Sequence, residues 1–256
     1  MRLQILQIAL SKKEQLYRTS SRLFWPILLA FITTGSSFIG LAVNPPLDPL
    51  RIDFISDAWE EKKGAEIISL MFTGDIMLDR YIKTLRQRNG GDFPFTYMPE
   101  VIAAIEEKLG VNELDLIVGN LEGPITDSDY TNNGTAMIFN FEPATVDLLK
   151  NAGFTTLNMA NNHTFDMGKE GVKETHDYLA AAGIEGFGHP DTPNGEFSFI
   201  RYDFGNTSLG FLGLNDAIIR LDTESALTEI KELDTQVDFL IIGVHWGREY
   251  ETPARE

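Results

Sequence analysis

Along residues 66–256, short unbroken apolar runs alternate with longer stretches in which apolar positions recur every three to four residues. The runs IISLMF (67–72), LDLIVGN (114–120), FTTLNMA (154–160) and DFLIIGVHW (238–246) predict strands buried on both faces. MLDRYIKTLRQR (77–88), MPEVIAAIEEKLG (98–110), PATVDLLKNAG (143–153), GKEGVKETHDYLAAAG (168–183) and TESALTEIKEL (223–233) predict helices, several stopped by glycine. FSFIRYDF and TSLGFLGL, within 197–214 and split by Gly205-Asn206, predict a hairpin. Strands alternating with helices predict an α/β fold, a sheet with helices packed on its faces. No internal repeat or low-complexity tract interrupts this pattern.

The N-terminal part reads differently. Leu23–Val43 is a 21-residue run without a charge, long enough to cross a bilayer as a helix. Before it, residues 1–22 carry Arg2, Lys12, Lys13, Arg18 and Arg22 against Glu14 alone. The positive-inside rule then puts residues 1–22 in the cytoplasm and the body outside the cell membrane, on an uncleaved single-pass signal anchor at 23–43. A cleaved signal peptide would have a shorter apolar core and a clearer small-residue cleavage site. Residues 44–65, beginning NPPLDPL, read as a linker, and 66–256 as the folded domain.

Composition narrows the partners. The net charge is −17 with 43% hydrophobic residues, so the body is a globular acidic protein that repels polyanions at long range. Binding of nucleic acid through the general field is excluded, and an anionic substrate would need a local cationic site such as bound metal. There is no cysteine, so neither a disulfide nor a thiolate metal site is available.

The chemistry-bearing side chains gather where the predicted strands end. Asp75 follows the first buried strand, Asn120-Leu121-Glu122 the second, Asn161-Asn162-His163 the third, and His245 closes the last. The carboxyl edge of an α/β sheet is where ligands bind. Aspartate and glutamate oxygens, asparagine carbonyls and an imidazole nitrogen suit manganese, iron or zinc better than calcium. Two such cations polarise an ester and generate hydroxide. His163 could instead protonate a leaving group, with Asp166 holding its other ring nitrogen. Plainer readings exist for each residue taken alone. Gly74-Asp75 suits an ordinary turn, Asn161 a helix N-cap, and His245 beside Trp246 a packed or surface histidine. His176 in a charged helix is read as solvated, and His189 in GFGHPD as a loop residue for which a plain loop role is preferred to a site role.

FTGDIMLDR (72–80), VGNLEGPIT (118–126), NMANNHTFDMGKEG (158–171) and GVHWGREYETP (243–253) together resemble the CapA family of poly-γ-glutamate capsule synthesis proteins. That family is similar in fold to the calcineurin-like metallophosphoesterases. The resemblance implies a metallophosphoesterase-like α/β sandwich over about residues 67–256. It implies metal ligation by Asp75, Glu122, Asn162 and His245 around two divalent ions (Mn, Fe or Zn), acid or substrate-contact work by His163 with Asp166, and an anionic group met by Arg80. The histidine that phosphoesterases carry two residues after the first aspartate is Met77 here, as in CapA-like sequences. The family continues beyond the HWG motif to a Gly-His-x-x-His-like segment, so the chain is expected to be C-terminally truncated. The function implied is that of an extracytoplasmic accessory protein of capsule polymer synthesis, acting on an anionic polymer beside a membrane synthase. Two other functions stay open at this point: a general metal-dependent phosphoesterase on small esters, and a non-catalytic polymer-binding or anchoring protein.

Overall fold

The computed structural model describes residues 4–10, 29–34, 37–41, 66–130, 137–188, 199–217 and 221–247. Among the described residues, ten strands form two five-stranded sheets. The first has the order β1 (Gln4–Leu10), β4 (Glu66–Ile76), β5 (Leu116–Leu121), β6 (Thr156–Asn158), β7 (Glu185–Phe187). Strands β4 to β7 run parallel, and β1 lies antiparallel on the β4 edge. The second has the order β3 (Ser37–Leu41), β2 (Leu29–Thr34), β10 (Phe239–His245), β9 (Thr207–Asn215), β8 (Phe199–Phe204). Here β2, β10 and β9 are parallel while β3 and β8 close the edges antiparallel.

Five helices accompany them among the described residues: α1 (Arg80–Asn89), α2 (Met98–Leu109), α3 (Thr145–Asn151), α4 (Gly168–Ala182) and α5 (Thr223–Asp234). Asp79 caps α1 by accepting from the Arg80 N–H, and Asp222 caps α5 through the Glu224 N–H. Gly110 and Gly183 end α2 and α4 in the left-handed conformation.

The unbroken apolar runs are explained by what lies on each side of the strands. Ile68, Leu70 and Phe72 of β4 and Leu116 and Val118 of β5 meet Leu209, Phe211 and Ile241 between the sheets. Their neighbours Met71, Ile117 and Leu157 face the other way, onto Ile105, Leu149, Val172 and Leu179 of α2, α3 and α4. Leu212, Leu214, Leu240 and Ile242 pack outward towards Ala226, Ile230 and Leu233 of α5. Each such side chain removed from water contributes about 1.5–3 kcal/mol. The result is the predicted α/β sandwich, with two sheets inside and helices outside.

One device recurs in both halves. The Ser69 N–H and hydroxyl both donate to Asp115 Oδ2 at 2.7 Å, and the Ser208 N–H and hydroxyl to Asp238 Oδ2 at 2.9 and 2.8 Å. Each staple ties the start of one parallel strand to the turn entering its neighbour, at the edge opposite the strand ends that carry the motifs. A third polar link joins the sheets: the Tyr202 and Thr156 hydroxyls lie 2.7 Å apart, and burial pushes the Tyr202 phenol up to about 12. Tyr202→Phe removes that bond and is expected to cost about 1 kcal/mol of unfolding free energy in urea titrations. Equal stability of the two proteins would show that the bond contributes nothing.

Glu229 on α5 is buried at 8% exposure, and burial, then the Glu232 charge, raise its carboxyl to about 7. The folded protein therefore holds this proton more tightly than the unfolded chain. Between the ordinary carboxylate range and pH 7 its contribution to stability falls as pH rises. Glu229→Gln is expected to raise the melting temperature above pH 7 and to leave it unchanged near pH 4. A constant difference across that range would refute the assignment.

The N-terminal apolar run departs from the expectation. Where hydropathy predicts a membrane helix over 23–43, residues 29–34 and 37–41 are strands, and β2 pairs in parallel with β10. Residues 4–10, inside the segment read as cytoplasmic, pair with β4. Among the described residues no helix is long and apolar enough to cross a membrane. The physical reason is that Phe31, Ile32, Thr33, Phe38 and Ile39 suit a strand as well as a helix; β10 offers a backbone edge for β2 to join, and β2 one for β3. The linker at 44–65 lies outside the described residues.

Candidate functional site

The carboxyl ends of β4, β5 and β6 lie side by side, in register at Asp75 with Asn120 and at Asn120 with Asn158. The β4 ladder is irregular between Phe72 and Asp75, which leaves Asp75 exposed while Thr73 and Ile76 on either side are buried. Asn120 is 1% exposed and sits at the centre. Its Nδ2 donates to Asp75 Oδ1 at 3.0 Å and to Glu122 Oε2. Its Oδ1 accepts from Asn158 Nδ2 at 3.1 Å and from Asn161 Nδ2 at 3.3 Å.

Asn161 is wholly buried and serves as a stitch, not as a helix cap, since α4 begins only at Gly168. It donates to the Leu121 carbonyl at 2.8 Å. Its Oδ1 accepts from the His163 N–H at 3.0 Å and from the Thr164 hydroxyl at 3.2 Å. This fixes the loop that carries Asn162 and His163 against the end of β5. The structural role expected for Asn161 holds, by a different geometry.

His163 is 5% exposed. Its Nδ1 lies 2.9 Å from Asp166 Oδ2, the expected pairing. The same carboxylate oxygen accepts the Phe139 N–H at 2.6 Å, and the Phe139 ring lies over the imidazole with centroids 4.2 Å apart. The Asn140 N–H donates to Asp79 Oδ2 at 3.2 Å, and Asn140 Oδ1 accepts from Thr126 at 2.7 Å. Segment 137–141 is thus tied down on both sides of the histidine. Nothing in the sequence pattern marked Phe139 or Asn140, because their partners lie 27 and 61 residues away.

His245 closes β10 of the other sheet. Its Nε2 is 2.8 Å from Asn162 Oδ1 although 83 residues separate them. Burial pushes its imidazole down to about 4; the Asp75 charge pulls back against this and His163 adds to the fall. His245 is therefore neutral at pH 7, the form in which an imidazole ligates metal. These couplings also place Asp75 and His163 within electrostatic reach of His245.

The four expected ligands come to one edge as two pairs. Asp75 and Glu122 share the Asn120 amide, and Asn162 and His245 share a hydrogen bond. They do not close into one knot: among the described residues no three histidine, aspartate or glutamate side chains group as a metal holder. One of the four, Asn162, brings an amide, and the Asn120 amide lies between the two carboxylates, where a wholly acidic cluster would repel itself. By donor chemistry the set fits divalent manganese, iron or zinc, with carboxylate oxygens on one side and amide oxygen plus neutral imidazole on the other. Met77 is half-buried against the apolar core beside them.

Arg80 opens α1 at the same edge. It is the one non-glycine residue with positive φ among those described, at 54°. Asp79 Oδ1 accepts its N–H at 2.6 Å and holds that turn, while its Nη1 reaches Met137 Sδ at 2.8 Å. His176 is not simply solvated: it is half-buried and packs against Gly186 of β7. His189 lies outside the described residues.

Residues 69–256 match the family model described as bacterial capsule synthesis protein PGA_cap. The chain is 26% identical over 260 residues to the PGA biosynthesis protein CapA of Bacillus subtilis (strain 168), covering 95% of this chain and 63% of that protein. It is 25% identical over 240 residues to the capsule biosynthesis protein CapA of Bacillus anthracis, covering 82% and 56%. The chain thus spans about three fifths of the length of these curated relatives. Among solved structures, a novel phosphatase from Mycoplasma pneumoniae aligns over 71% of this chain and 56% of its own, at 18% identity and a TM-score of 0.41.

Proposed function

Since this chain belongs to the bacterial capsule synthesis protein family PGA_cap, we propose that it serves the synthesis of poly-γ-glutamate or a related anionic capsule polymer through a metal-dependent centre at the carboxyl edge of its sheets. The observation that carries this reading is the meeting of Asn162 and His245 at 2.8 Å across two sheets, beside the Asp75–Asn120–Glu122 group. Asp75, Glu122, Asn162 and His245 would hold two divalent ions. Bound metal supplies Lewis acidity and a nucleophilic hydroxide. The chain's own His163, as the imidazolium with its Nδ1–H on Asp166, would give its Nε2 proton to the leaving group and be left neutral. Arg80 would meet the anionic substrate, offsetting the repulsion from an acidic body.

The test is metal content. The full chain, dialysed with Mn²⁺ and freed of excess, is expected to retain metal, while Asp75→Ala and His245→Ala lose most of it. Mutating even a supporting partner of a ligand costs roughly 10–100-fold in metal affinity, and removing a ligand should cost at least as much. Equal metal in all three proteins would reject these ligands.

The extracytoplasmic, single-pass location belongs to the same proposal. It rests on the basic flank and the uncharged run 23–43, whose residues 29–34 and 37–41 would leave the second sheet as the run becomes helical in a bilayer. A location outside the membrane synthase would let the site meet polymer as it emerges. Protease added to intact cells is expected to digest the body of the chain; full protection would place it on the inner side and end that part of the reading.

A further inference from the structure

Asn120 is hydrogen-bonded to capacity. A primary amide offers two N–H donors and two acceptor lone pairs. Both donors go to carboxylate oxygens, of Asp75 and Glu122, and both acceptor sites take amide donors, of Asn158 and Asn161. The orientation is therefore fixed. Rotating the amide by half a turn would set its oxygen against two carboxylates and its NH₂ against two other NH₂ groups. Because Oδ1 is already taken twice, Asn120 is not itself positioned as a metal ligand. The motif-bearing ends of β4, β5 and β6 all meet on this one side chain.

We propose that Asn120 is a positioning residue. Its neutral amide draws the Asp75 and Glu122 carboxylates to a single point and holds them there against their mutual repulsion, so that the pair stands ready before any cation arrives. A carboxylate at this position would add a third negative charge; an apolar residue would leave two buried amides without an acceptor. The part that concerns a cation rests on the metal-centre reading above, whereas the clamp stands on the hydrogen bonds alone.

The test separates the two. In chelator-treated full chain, melting temperatures are measured for the wild type, Asn120→Asp, Asp75→Asn and the double variant. Asn120→Asp is expected to lower the melting temperature by about 5 °C. In the Asp75→Asn background, where an amide can again donate across the pair, less than half of that loss should remain. The same loss in both backgrounds would overturn the clamp, since a merely structural asparagine has no reason to sense the charge at residue 75. Should Asn120→Asp fail to fold, the wild type and Asp75→Asn still decide. The clamp predicts slow exchange and displaced resonances for the Asn120 side-chain amide protons, with Asp75→Asn moving them more than those of Asn158. Fast exchange in the wild type would overturn it. For the cation, Mn²⁺ titration by calorimetry is expected to show about tenfold weaker binding to Asn120→Ser than to wild type. Equal binding overturns the positioning role; no binding to wild type overturns the metal reading and leaves the melting data to judge the clamp.

Discussion

Alanine at Gly213 is expected to cost about 3 kcal/mol or more, a large share of the stability of a domain of this size. A Cβ built there would stand 2.6 Å from Asn158 Oδ1, 2.6 Å from the Gly188 Cα and 2.9 Å from the Ala160 Cβ. Two of these obstacles are backbone or a stub on it, and the third is a buried amide already bonded to Asn120, so none can swing aside. Gly213 lies on β9 in register with Gly243 of β10, against Asn158, Ala160 and Gly188 beside the strand ends that carry the site. Gly91→Ala is the control, because nothing lies within 4 Å of the position its Cβ would take. Its change should stay within about 0.5 kcal/mol. Urea unfolding of both variants reads the difference; a Gly213→Ala protein as stable as Gly91→Ala would mean that the sheets are not pressed together there. Displacing Asn158 should also loosen the Asn120 amide, so metal retention is expected to fall together with stability.

His163→Ala is expected to lower metal-dependent ester hydrolysis by about 10²–10⁴-fold, the usual worth of a positioned general acid. The probe is bis(p-nitrophenyl) phosphate with Mn²⁺, assayed alongside metal content. Metal should be retained, because His163 hydrogen-bonds Asp166 and packs under Phe139, whereas the expected ligands pair elsewhere. Asp166→Asn should lower the rate less and leave KM nearly unchanged, since it alters how the ring is held, not what the substrate touches. Turnover by His163→Ala equal to that of the wild type would remove the acid role. A wild type that binds Mn²⁺ and hydrolyses nothing would favour a centre that binds polymer without cleaving it.

Much of this site was legible because the strand ends are marked in the chain itself. An apolar run buried on both faces has to stop where its backbone reaches solvent, and Asp75, Glu122 and His245 stand at those stops. The His163–Asp166 contact was legible for a similar reason: three residues in a tight loop leave little room for any other geometry. Strand β7 was missed because three residues, one of them glycine, carry no periodicity. The use of residues 29–34 and 37–41 as strands was missed because an uncharged run of this composition suits a bilayer helix and a sheet edge alike.

By itself, then, the sequence determined the alternation of strands and helices, the acidic body, the absence of thiolate ligands and the residues that end each strand. These follow from local patterning and composition, which any stretch of chain carries with it. The tertiary structure decided that Asn120 gathers four side chains, that Phe139 roofs His163, that Asn162 meets His245, and that glycine is needed at position 213. Each of these depends on which strand lies beside which and how closely the sheets approach. Those are properties of packing between segments tens of residues apart, and no local pattern encodes them.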